Sequence, residues 1–325
     1  MATEIQPNLY KIDVPLPNNL LRSLNTYLIK NDHRNLLVDT GFNQPECKQV
    51  LFAQLKGLDI NLAKTDVFIT HMHPDHSGLV LELVRAGARA FCSREDAKMI
   101  NTENVSGFFL SFITMCGFPT VPQSESRSHT GYSLYLGEEV DFTYVEDGDK
   151  LTYGEYSFTA IKTPGHSAGH MCLYDEQKEL LIAGDHILAD ITPNISLWSH
   201  SSDPLQDFII NLKRVGQLKI RLALPGHRSL ITDCHGRIRE LLEYHRIRAH
   251  EVIEIVSNAK KTPYEVAQQM KWDVRNKTFE EFPFPQKLFA TGEALAHLKY
   301  LETHGHVQKE NCDGIYRYSA TSLLN

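Results

Sequence analysis

One stretch decides the fold of this chain: Val67-Phe68-Ile69-Thr70-His71-Met72-His73-Pro74-Asp75-His76. Three imidazoles and a carboxylate lie within six residues, directly after an apolar, β-rich run. In an extended segment, side chains at i and i+2 point the same way, so His71 and His73 can bind one metal ion. After the following turn, Asp75 and His76 face another direction and can bind a second metal ion. Histidine accounts for only 16 of the 325 residues, so a His-rich surface loop is the weaker explanation.

Three further metal-binding side chains occur in a similar setting, each just past an apolar run and beside a glycine that allows a sharp turn. They are His166 in Thr-Pro-Gly-His, Asp185 in Ala-Gly-Asp and His227 in Pro-Gly-His. Strand ends suit a metal site because a rigid sheet holds them in place. Seven nitrogen or oxygen ligands at four strand ends predict two borderline metal ions. Zinc is the first choice, iron or manganese are alternatives, and calcium is disfavoured because it prefers oxygen alone.

The order His-x-His-x-Asp-His, Gly-His, Gly-Asp and Gly-His resembles the metallo-β-lactamase superfamily over residues 8 to 230. The resemblance implies two metal ions: the first held by His71, His73 and His166, the second by Asp75, His76 and His227, with Asp185 bridging. It also matches Asp39-Thr40-Gly41 to an element that normally supports the metal loop from behind. The second histidine of the motif is not replaced by glutamate, the change that marks diiron electron-transfer relatives. Hydrolysis is therefore favoured over redox chemistry.

Length and composition narrow the class of protein. A chain of 325 residues with 42% hydrophobic content can fill more than one core. There is no apolar run of about 18 residues, which predicts no membrane span, and the first ten residues do not read as a signal peptide. The six cysteines form no Cys-x-x-Cys pair, as expected of reduced thiols in a cytoplasmic protein. The net charge of −7 argues against a nucleic-acid surface.

Apolar alternation and helical periods predict an α/β catalytic domain over residues 1–230. Strands are expected at 9–14, 26–29, 36–38, 67–69, 88–92, 151–153, 158–161, 171–174, 180–183 and 221–224, and helices at 45–55, 78–86 and 204–217. Ser77 is expected to cap the helix that starts at Gly78. The pattern alone supports an α/β fold with ligands at strand ends. The resemblance adds a four-layer αβ/βα sandwich with the metals at its seam.

The pattern breaks between residues 97 and 145, where Phe108, Phe109, Phe112 and Phe118 crowd one stretch. We interpret this range as an insertion near the active site, whose aromatic rings would suit a small acyl group above the metals. The alternative is an ordinary helix packed on a core, and the sequence does not separate the two.

Residues 231–325 have a helical period and predict a linker helix followed by a small C-terminal domain. A long helix ends near 258, Thr262-Pro263 begins a second helix, and a third spans 288–303. A hairpin follows around Asp313-Gly314. This arrangement resembles the winged-helix-like domain of one group of the superfamily, the lactamase-β-like hydrolases. Residues 261–325 carry eight basic and eight acidic side chains, so packing or pocket closure is favoured over DNA binding.

The leading hypothesis is a binuclear-metal hydrolase in which metal-bound hydroxide cleaves an ester, thioester or lactone carbonyl, as in hydroxyacylglutathione hydrolases. Two zinc ions lower the pKa of bound water and polarise the scissile carbonyl, and the sequence contains no Ser or Cys nucleophile motif. Asp75 is expected to orient the attacking water. His186 is a second catalytic candidate, as a proton donor, although strand alternation would point it away from the metals. His170 is expected to support the site or the core, and Asn194 to border the pocket.

The first alternative is an RNA phosphodiesterase with the same metal centre. Its anion-binding face would comprise His235, Arg237, Arg239, Arg246 and Arg248. We favour the simpler interpretation of these side chains as a solvated helix face. A metal-dependent regulator that binds DNA is a weaker alternative, and an antibiotic-degrading β-lactamase is disfavoured because those enzymes are exported. The expected partner is a small acyl substrate rather than a nucleic acid or a membrane, and a homo-oligomer is left open.

Overall fold

The computed structural model of the protein describes residues 2–102, 106–119, 136–197, 202–272 and 278–321, apart from the side chains of residues 106–109. The strands of these residues form three sheets. The strands are β1 (Ala2–Gln6), β2 (Leu9–Pro15), β3 (Ser23–Ile29), β4 (Asn35–Val38), β5 (Thr65–Phe68), β6 (Arg89–Cys92), β7 (Phe142–Tyr144), β8 (Lys150–Tyr153), β9 (Tyr156–Lys162), β10 (Met171–Asp175), β11 (Leu180–Gly184), β12 (Leu222–Pro225), β13 (Val307–Cys312) and β14 (Ile315–Ala320).

The helices were largely expected from the sequence. They are α1 (Pro45–Gly57), α2 (Pro74–Ser77), α3 (Val80–Arg85), α4 (Arg94–Ile100), α5 (Ser106–Cys116), α6 (Pro204–Val215), α7 (Cys234–Ser257), α8 (Pro263–Gln269) and α9 (Phe284–Thr303). Proline stands in the first turn of α1, α2, α8 and α9, where its missing N–H costs nothing.

Sheet order explains why functional side chains gather at strand ends. The first sheet has seven strands in chain order, and β4, β5, β6 and β7 pair in parallel. The second sheet has the order β12-β11-β10-β9-β8, in which β11 and β12 pair in parallel. Because parallel neighbours end at the same edge of a sheet, the residues after β4 and β5 lie side by side, as do those after β11 and β12.

The core confirms the expected αβ/βα sandwich. Leu36 and Val38 lie in a buried cluster with Phe158 and Leu173 of the second sheet. Leu37, which points the other way along β4, lies in a different cluster with α1 and α3 residues such as Leu51 and Leu83. Successive side chains of a strand face opposite sides of the sheet, so β4 is buried on both faces, by a sheet on one side and by helices on the other.

Asp66, in β5 near its amino end, joins the two sheets through an ion cluster around its buried carboxylate. Its carboxylate accepts hydrogen bonds from Arg34 (2.8 Å), from Arg89 (2.8 and 2.7 Å) and from the Tyr153 hydroxyl of β8 (2.8 Å). Burial raises the pKa of Asp66, but the bonds from Arg89 and Tyr153 and the charge of Arg34 outweigh it and lower the pKa below its usual value. This carboxylate therefore stays ionised in the folded protein.

The chain divides into two compact units. The first comprises Met1–Glu103, Tyr132–Pro193 and Asn211–Ile238, and the second comprises Asn104–Gly131, Asn194–Ile210 and Arg239–Asn325. The second unit has its own core, in which α7 contributes Val252 and Ile253, and α9 contributes Leu295 and Leu298. It also contains the predicted hairpin, β13 paired with β14, and a capping box at Thr262 that starts α8. The winged-helix name for this unit stays an interpretation.

Several elements differ from the expectation. Ser77 does not cap a helix: it is the last residue of α2, and its hydroxyl donates to the carbonyls of Met72 and His73. Strand β1 and helix α4 were not predicted, because Ala2–Gln6 is half polar and α4 spans only Arg94–Ile100. The range 97–145 contains both α5 and the sheet strand β7.

Phe112 of α5 is buried in the core of the second unit. For this residue the structure matches the alternative of a helix packed on a core, rather than an aromatic surface available to a substrate. The side chains of Phe108 and Phe109 lie outside the described residues. The position of the range 97–145 near the active site stays a prediction.

Candidate metal centre

The His71–His76 segment continues from β5, as predicted. Ile69 and Thr70 follow the strand, and His73 stands directly before Pro74, which begins α2. The Thr70 hydroxyl lies 3.1 Å from His71 Nδ1. Since that hydroxyl donates to Asp39, Nδ1–H of His71 must be the donor, and Nε2 keeps its lone pair. That lone pair faces His73 Nδ1 at 3.0 Å.

Asp39 supports this segment from behind. It follows β4 with φ +62°, next to the end of β5, and accepts the Thr70 N–H at 2.8 Å. Its Oδ2 also accepts from His76 Nδ1 at 2.7 Å. Because Nδ1 of His76 carries the donated proton, Nε2 is left to face the other candidate ligands. The role that the resemblance implied for Asp39-Thr40-Gly41 therefore corresponds to observed hydrogen bonds.

The remaining candidate ligands come from the second sheet. His166 follows β9, Asp185 follows β11 directly and His227 follows β12. The imidazole of His227 donates from Nδ1 to the carbonyl of Ser23 (2.9 Å), which leaves Nε2 as its acceptor atom. The carbonyl of Pro225 accepts from Asn25 Nδ2 (3.0 Å) and from the Tyr27 hydroxyl (2.7 Å), and these bonds fix the His227 turn against β3.

All seven side chains converge. Three groups have ligand atoms within 4.8 Å of one another: His71, His73 and His166; Asp75, His76 and His227; and His71, His76 and Asp185. We call these seven residues the histidine–aspartate cluster. The first two groups match the two metal positions that the resemblance implied.

Asp185 lies against both groups. Its Oδ1 is 3.5 Å from His76 Nε2, and its Oδ2 is 3.6 Å from both His166 Nε2 and His227 Nε2. His227 Nε2 is also 3.3 Å from Asp75 Oδ2 and 3.3 Å from His76 Nε2. A carboxylate that reaches imidazoles of both groups is the arrangement that a bridging ligand needs.

The cluster fits divalent metal on structural grounds. Asp185 Oδ1 is buried and has no hydrogen-bond partner among the described residues, an expensive state for a charged oxygen unless a cation compensates it. Gly226 leaves the necessary space: a Cβ there would lie 2.5 Å from Asp185 Oδ1 and 2.7 Å from His76 Cε1. Nitrogen and carboxylate oxygen donors together suit borderline metals such as zinc.

A family model described as the metallo-beta-lactamase superfamily matches residues 21–227. The chain belongs to this superfamily. A second model, described as the metallo-beta-lactamase-like C-terminal domain, matches residues 251–321. The metallo-β-lactamase fold implies binding of divalent metal, and the histidine–aspartate cluster supplies the donors for it.

Curated relatives of the superfamily align with most of the chain. A protein named "Probable metallo-hydrolase YqjP" from Bacillus subtilis is 26% identical over 85% of this chain and 86% of its own length. A Caenorhabditis elegans protein named "Beta-lactamase-like protein 2 homolog" is 25% identical over 89% of this chain and 81% of its own length. A Cryptosporiopsis protein named as an atrochrysone carboxyl ACP thioesterase is 23% identical over 79% of this chain and 65% of its own length.

Solved superfamily structures share the fold along nearly the whole chain. A metallo-beta-lactamase family protein from Thermus thermophilus superposes with a TM-score of 0.82 at 28% identity, over 98% of this chain and all of its own. A beta-lactamase domain protein from Burkholderia ambifaria superposes with a TM-score of 0.79 at 23% identity, over 98% of this chain and 95% of its own. Among the described residues, no helix is long and apolar enough to cross a membrane.

The protonation states of His71, His73, Asp75 and Asp185 suit cation binding, whereas for His76 and His227 burial is outweighed by nearby carboxylates, which raise the pKa, so a bound cation would have to replace a proton there. Burial and the nearby His76 lower the pKa of His71 well below its usual value, and burial with His166 lowers that of His73 to about 3. Burial alone would raise the pKa of Asp75, but neighbouring histidines outweigh it and bring the pKa to about 2. Asp185 follows the same pattern, and its pKa lies well below the usual value. Neutral imidazoles and ionised carboxylates are the forms that bind metal.

The two weaker histidine candidates have separate roles. His170 accepts the Asp185 N–H at Nε2 (3.1 Å) and is held at Nδ1 by Thr163 (2.8 Å), so it orients Asp185 from behind. His186 is buried and its ring lies 6.1 Å from that of His170, outside the three metal-binding groups. Burial lowers the pKa of His186 to about 3, so it is neutral at pH 7. Its role as a proton donor stays a prediction.

Sequence reasoning missed one buried residue near the cluster, Asp96. The available signal was Ser93-x-x-Asp96, the spacing of a helix N-cap and its third residue, directly after β6. That spacing predicts the start of a helix, but it does not reveal which loops the carboxylate contacts. Asn194, which was expected to border the pocket, donates from Nδ2 to Glu293 Oε2 at 3.3 Å.

Proposed function

We propose that this protein is a two-metal hydrolase, with zinc as the first choice, that cleaves an ester, thioester or lactone. The observation that carries the proposal is the position of Asp185, within 3.6 Å of imidazoles from both three-residue groups. The thioesterase name of one relative, 23% identical, supports an acyl substrate.

Metal bound to the cluster would supply an activated water and polarise the carbonyl oxygen of the substrate. The chain supplies the rest. His71, His73 and His166 would hold one ion, and Asp75, His76 and His227 the other, with Asp185 shared. Asp75, whose pKa of about 2 keeps it ionised, would accept a hydrogen bond from the attacking water and so orient it.

Four of the five side chains that were considered as an RNA-binding face are engaged within the chain, and the fifth, Arg239, is exposed. Arg237 donates to the carbonyls of Leu188 and Ile191, and His235 lies 3.0 Å from the carbonyl of Leu218. Arg246 forms two hydrogen bonds with Glu243. Arg248 is 5% exposed and pairs with acidic side chains. Because phosphate recognition requires several accessible cations, these contacts favour an acyl substrate over RNA.

The test is a substrate panel with the full-length protein, prepared either zinc-loaded or stripped with a chelator. The panel contains a short-chain thioester, an aryl ester, a lactone and a short single-stranded RNA. We expect zinc-dependent turnover of at least one acyl substrate, and only weak, non-specific action on RNA. Chelation should abolish the turnover and zinc should restore it.

A matched pair of variants controls this experiment. Asp185→Asn removes the shared carboxylate, whereas Asp190→Asn makes the same chemical change at an exposed position five residues later. Only the first should lose turnover. The proposal is discarded if every acyl substrate is ignored while the RNA is cut efficiently, with loss of that cutting at raised salt.

A further inference from the structure

Asp96 is a fully buried carboxylate outside the histidine–aspartate cluster. It lies in the first turn of α4, where the Ser93 side chain accepts its N–H and caps the helix. Burial raises the pKa of Asp96 to about 6, although its hydrogen bonds lower it. Burying an ionisable group costs free energy unless hydrogen bonds or charges offset the cost. The hydrogen-bond donors around Asp96 therefore indicate its role.

Three donors from two different loops meet this carboxylate. Oδ2 accepts the N–H of Met72 (2.9 Å) and the hydroxyl of Ser167 (2.5 Å), and Oδ1 accepts the N–H of Gly169 (2.8 Å). Met72 stands between His71 and His73, and Ser167 directly follows His166. The three bonds therefore connect the segments that carry the first three-residue group.

The contact is also tightly packed. A Cβ on Gly169 would overlap Ser93 Oγ and lie 2.7 Å from Asp96 Oδ1, so the His166 loop approaches the start of α4 as closely as its backbone permits. Such packing leaves the loop no room to move closer to α4. A metal site needs its ligands held to within about 0.5 Å.

We propose that Asp96 is a positioning residue that sets the separation of the His71–His73 segment from His166, and thereby the affinity of the first group for metal. This inference rests on the proposed function only in requiring that the cluster binds metal, and it does not depend on the substrate. An asparagine cannot replace the carboxylate, because its amide would place a donor against the N–H or O–H of one of the loops.

Zinc affinity measured by competition with a chromophoric chelator tests the proposal on the full-length protein. We expect wild type to bind two zinc ions and Asp96→Asn to bind one of them about 10- to 100-fold more weakly, as for other residues that orient metal ligands. Affinity for the other ion should stay within about threefold, because Asp96 does not contact its ligands.

Thr262→Ala is the control, since it removes a helix cap, that of α8, and leaves the three hydrogen bonds to Asp96 and the packing of Gly169 against Ser93 in place. It should lower the melting temperature and leave both zinc affinities unchanged. A purely structural role for Asp96 would make the two variants behave alike, and that result overturns the proposal.

Ser167→Ala is the second variant, in case Asp96→Asn does not fold. It removes one of the three donors and should weaken the binding of one zinc ion about three- to tenfold. Wild-type affinity for both ions in either folded Asp96→Asn or Ser167→Ala overturns the inference. If wild type itself binds no zinc, the proposed function fails instead, so the two failures are distinguishable.

Discussion

Both compact units bury a group of polar side chains, and the two groups are balanced in different ways. In the second unit, Arg248 donates to Glu251 (2.6 Å) and to the carbonyl of Lys271 (2.8 Å), and its Nε lies 3.5 Å from Glu293. Its guanidinium lies 4.5 Å from the centre of the Trp272 ring. We call these residues the arginine cluster. Carboxylates and an aromatic face of the same chain balance the charge of Arg248, although its Nε and one of its Nη atoms have no hydrogen-bond partner among the described residues.

The histidine–aspartate cluster has no lysine or arginine among its contacts in the described residues. It contains Asp75 and Asp185, and His71 Nε2 lies 3.0 Å from His73 Nδ1. Without metal, only protons on histidine can supply positive charge. Burial disfavours that charge, but Asp39 and Asp185 outweigh burial and raise the pKa of His76 well above its usual value. Burial of polar groups therefore indicates a ligand where the chain lacks a counter-charge, and does not where the chain provides one.

The largest expected effect is a loss of metal binding, which should occur for the histidine–aspartate cluster and not for the arginine cluster. Asp185→Asn should weaken zinc binding by roughly 100-fold or more, because a neutral amide cannot hold two cations and even residues that only orient ligands account for about 10- to 100-fold. Turnover should fall accordingly. The measurement is zinc content by elemental analysis together with melting temperature in zinc and in chelator.

The melting-temperature deficit of Asp185→Asn should be large in zinc and small in chelator, because bound metal stabilises only the folded chain. Full zinc content with wild-type turnover would contradict the assignment of Asp185 as the shared ligand.

Arg248→Met should reduce the free energy of unfolding by about 3–5 kcal/mol, because it leaves buried acidic side chains without a counter-charge. In contrast with Asp185→Asn, the loss should be the same in zinc and in chelator. Urea unfolding under both conditions measures it. Adding Glu293→Met should restore part of the lost free energy of unfolding. A double variant less stable than Arg248→Met would contradict the view that the arginine cluster is balanced by its own charges.

Asp66→Asn should cost about 2 kcal/mol at neutral pH, less than a fully buried pair because Arg34 and Arg89 remain partly in water. The folded pKa of Asp66 lies below its ordinary value of 3.8. Its ion pairs therefore stabilise the fold above about pH 4, and this contribution is lost as the pH falls through the folded pKa. Urea unfolding at pH 7 and pH 3 should show the two proteins converging in acid, and a constant difference would refute this.

The smallest expected effect is the loss of a helix cap outside both clusters. Thr262→Ala removes one side of the capping box that starts α8 and should cost about 1 kcal/mol. No change with zinc or pH is expected, since the bond lost is not part of either buried cluster. A loss as large as that of Arg248→Met would show that stability in the second unit does not follow charge balance.

Much of the site was predictable because its signals are local. His71, His73, Asp75 and His76 lie within six residues. His166, Asp185 and His227 each come directly after a glycine, shortly past the end of a strand. Strand periodicity and residue chemistry suffice for such positions. The hydrogen bond of Asp39 with His76 (2.7 Å) joins residues 37 apart in the chain. Only the resemblance indicated that Asp39 supports the metal loop.

The misses have a common physical cause: the type of a residue does not reveal which partners its side chain has in the fold. Ser77 had the composition of a helix cap, but its hydroxyl satisfies carbonyls of the preceding turn instead. Asp96 receives donors 24, 71 and 73 residues away, which no local pattern reveals. The sequence left open whether Phe112 faces a pocket or packs on a core, and the structure buries it in the core of the second unit.

The order in which the chain is synthesised gives the His227 turn a separate importance. The imidazole of His227 donates to Ser23, 204 residues earlier, and Asn25 donates to Pro225 across 200 residues. A nascent chain therefore carries His71–His76 long before the last ligand emerges, and pairing across such distances is slow. Until residue 227 leaves the ribosome, the second group has only two of its three ligands. We expect early fragments to capture zinc poorly, so that metal uptake marks the completion of the candidate metal centre.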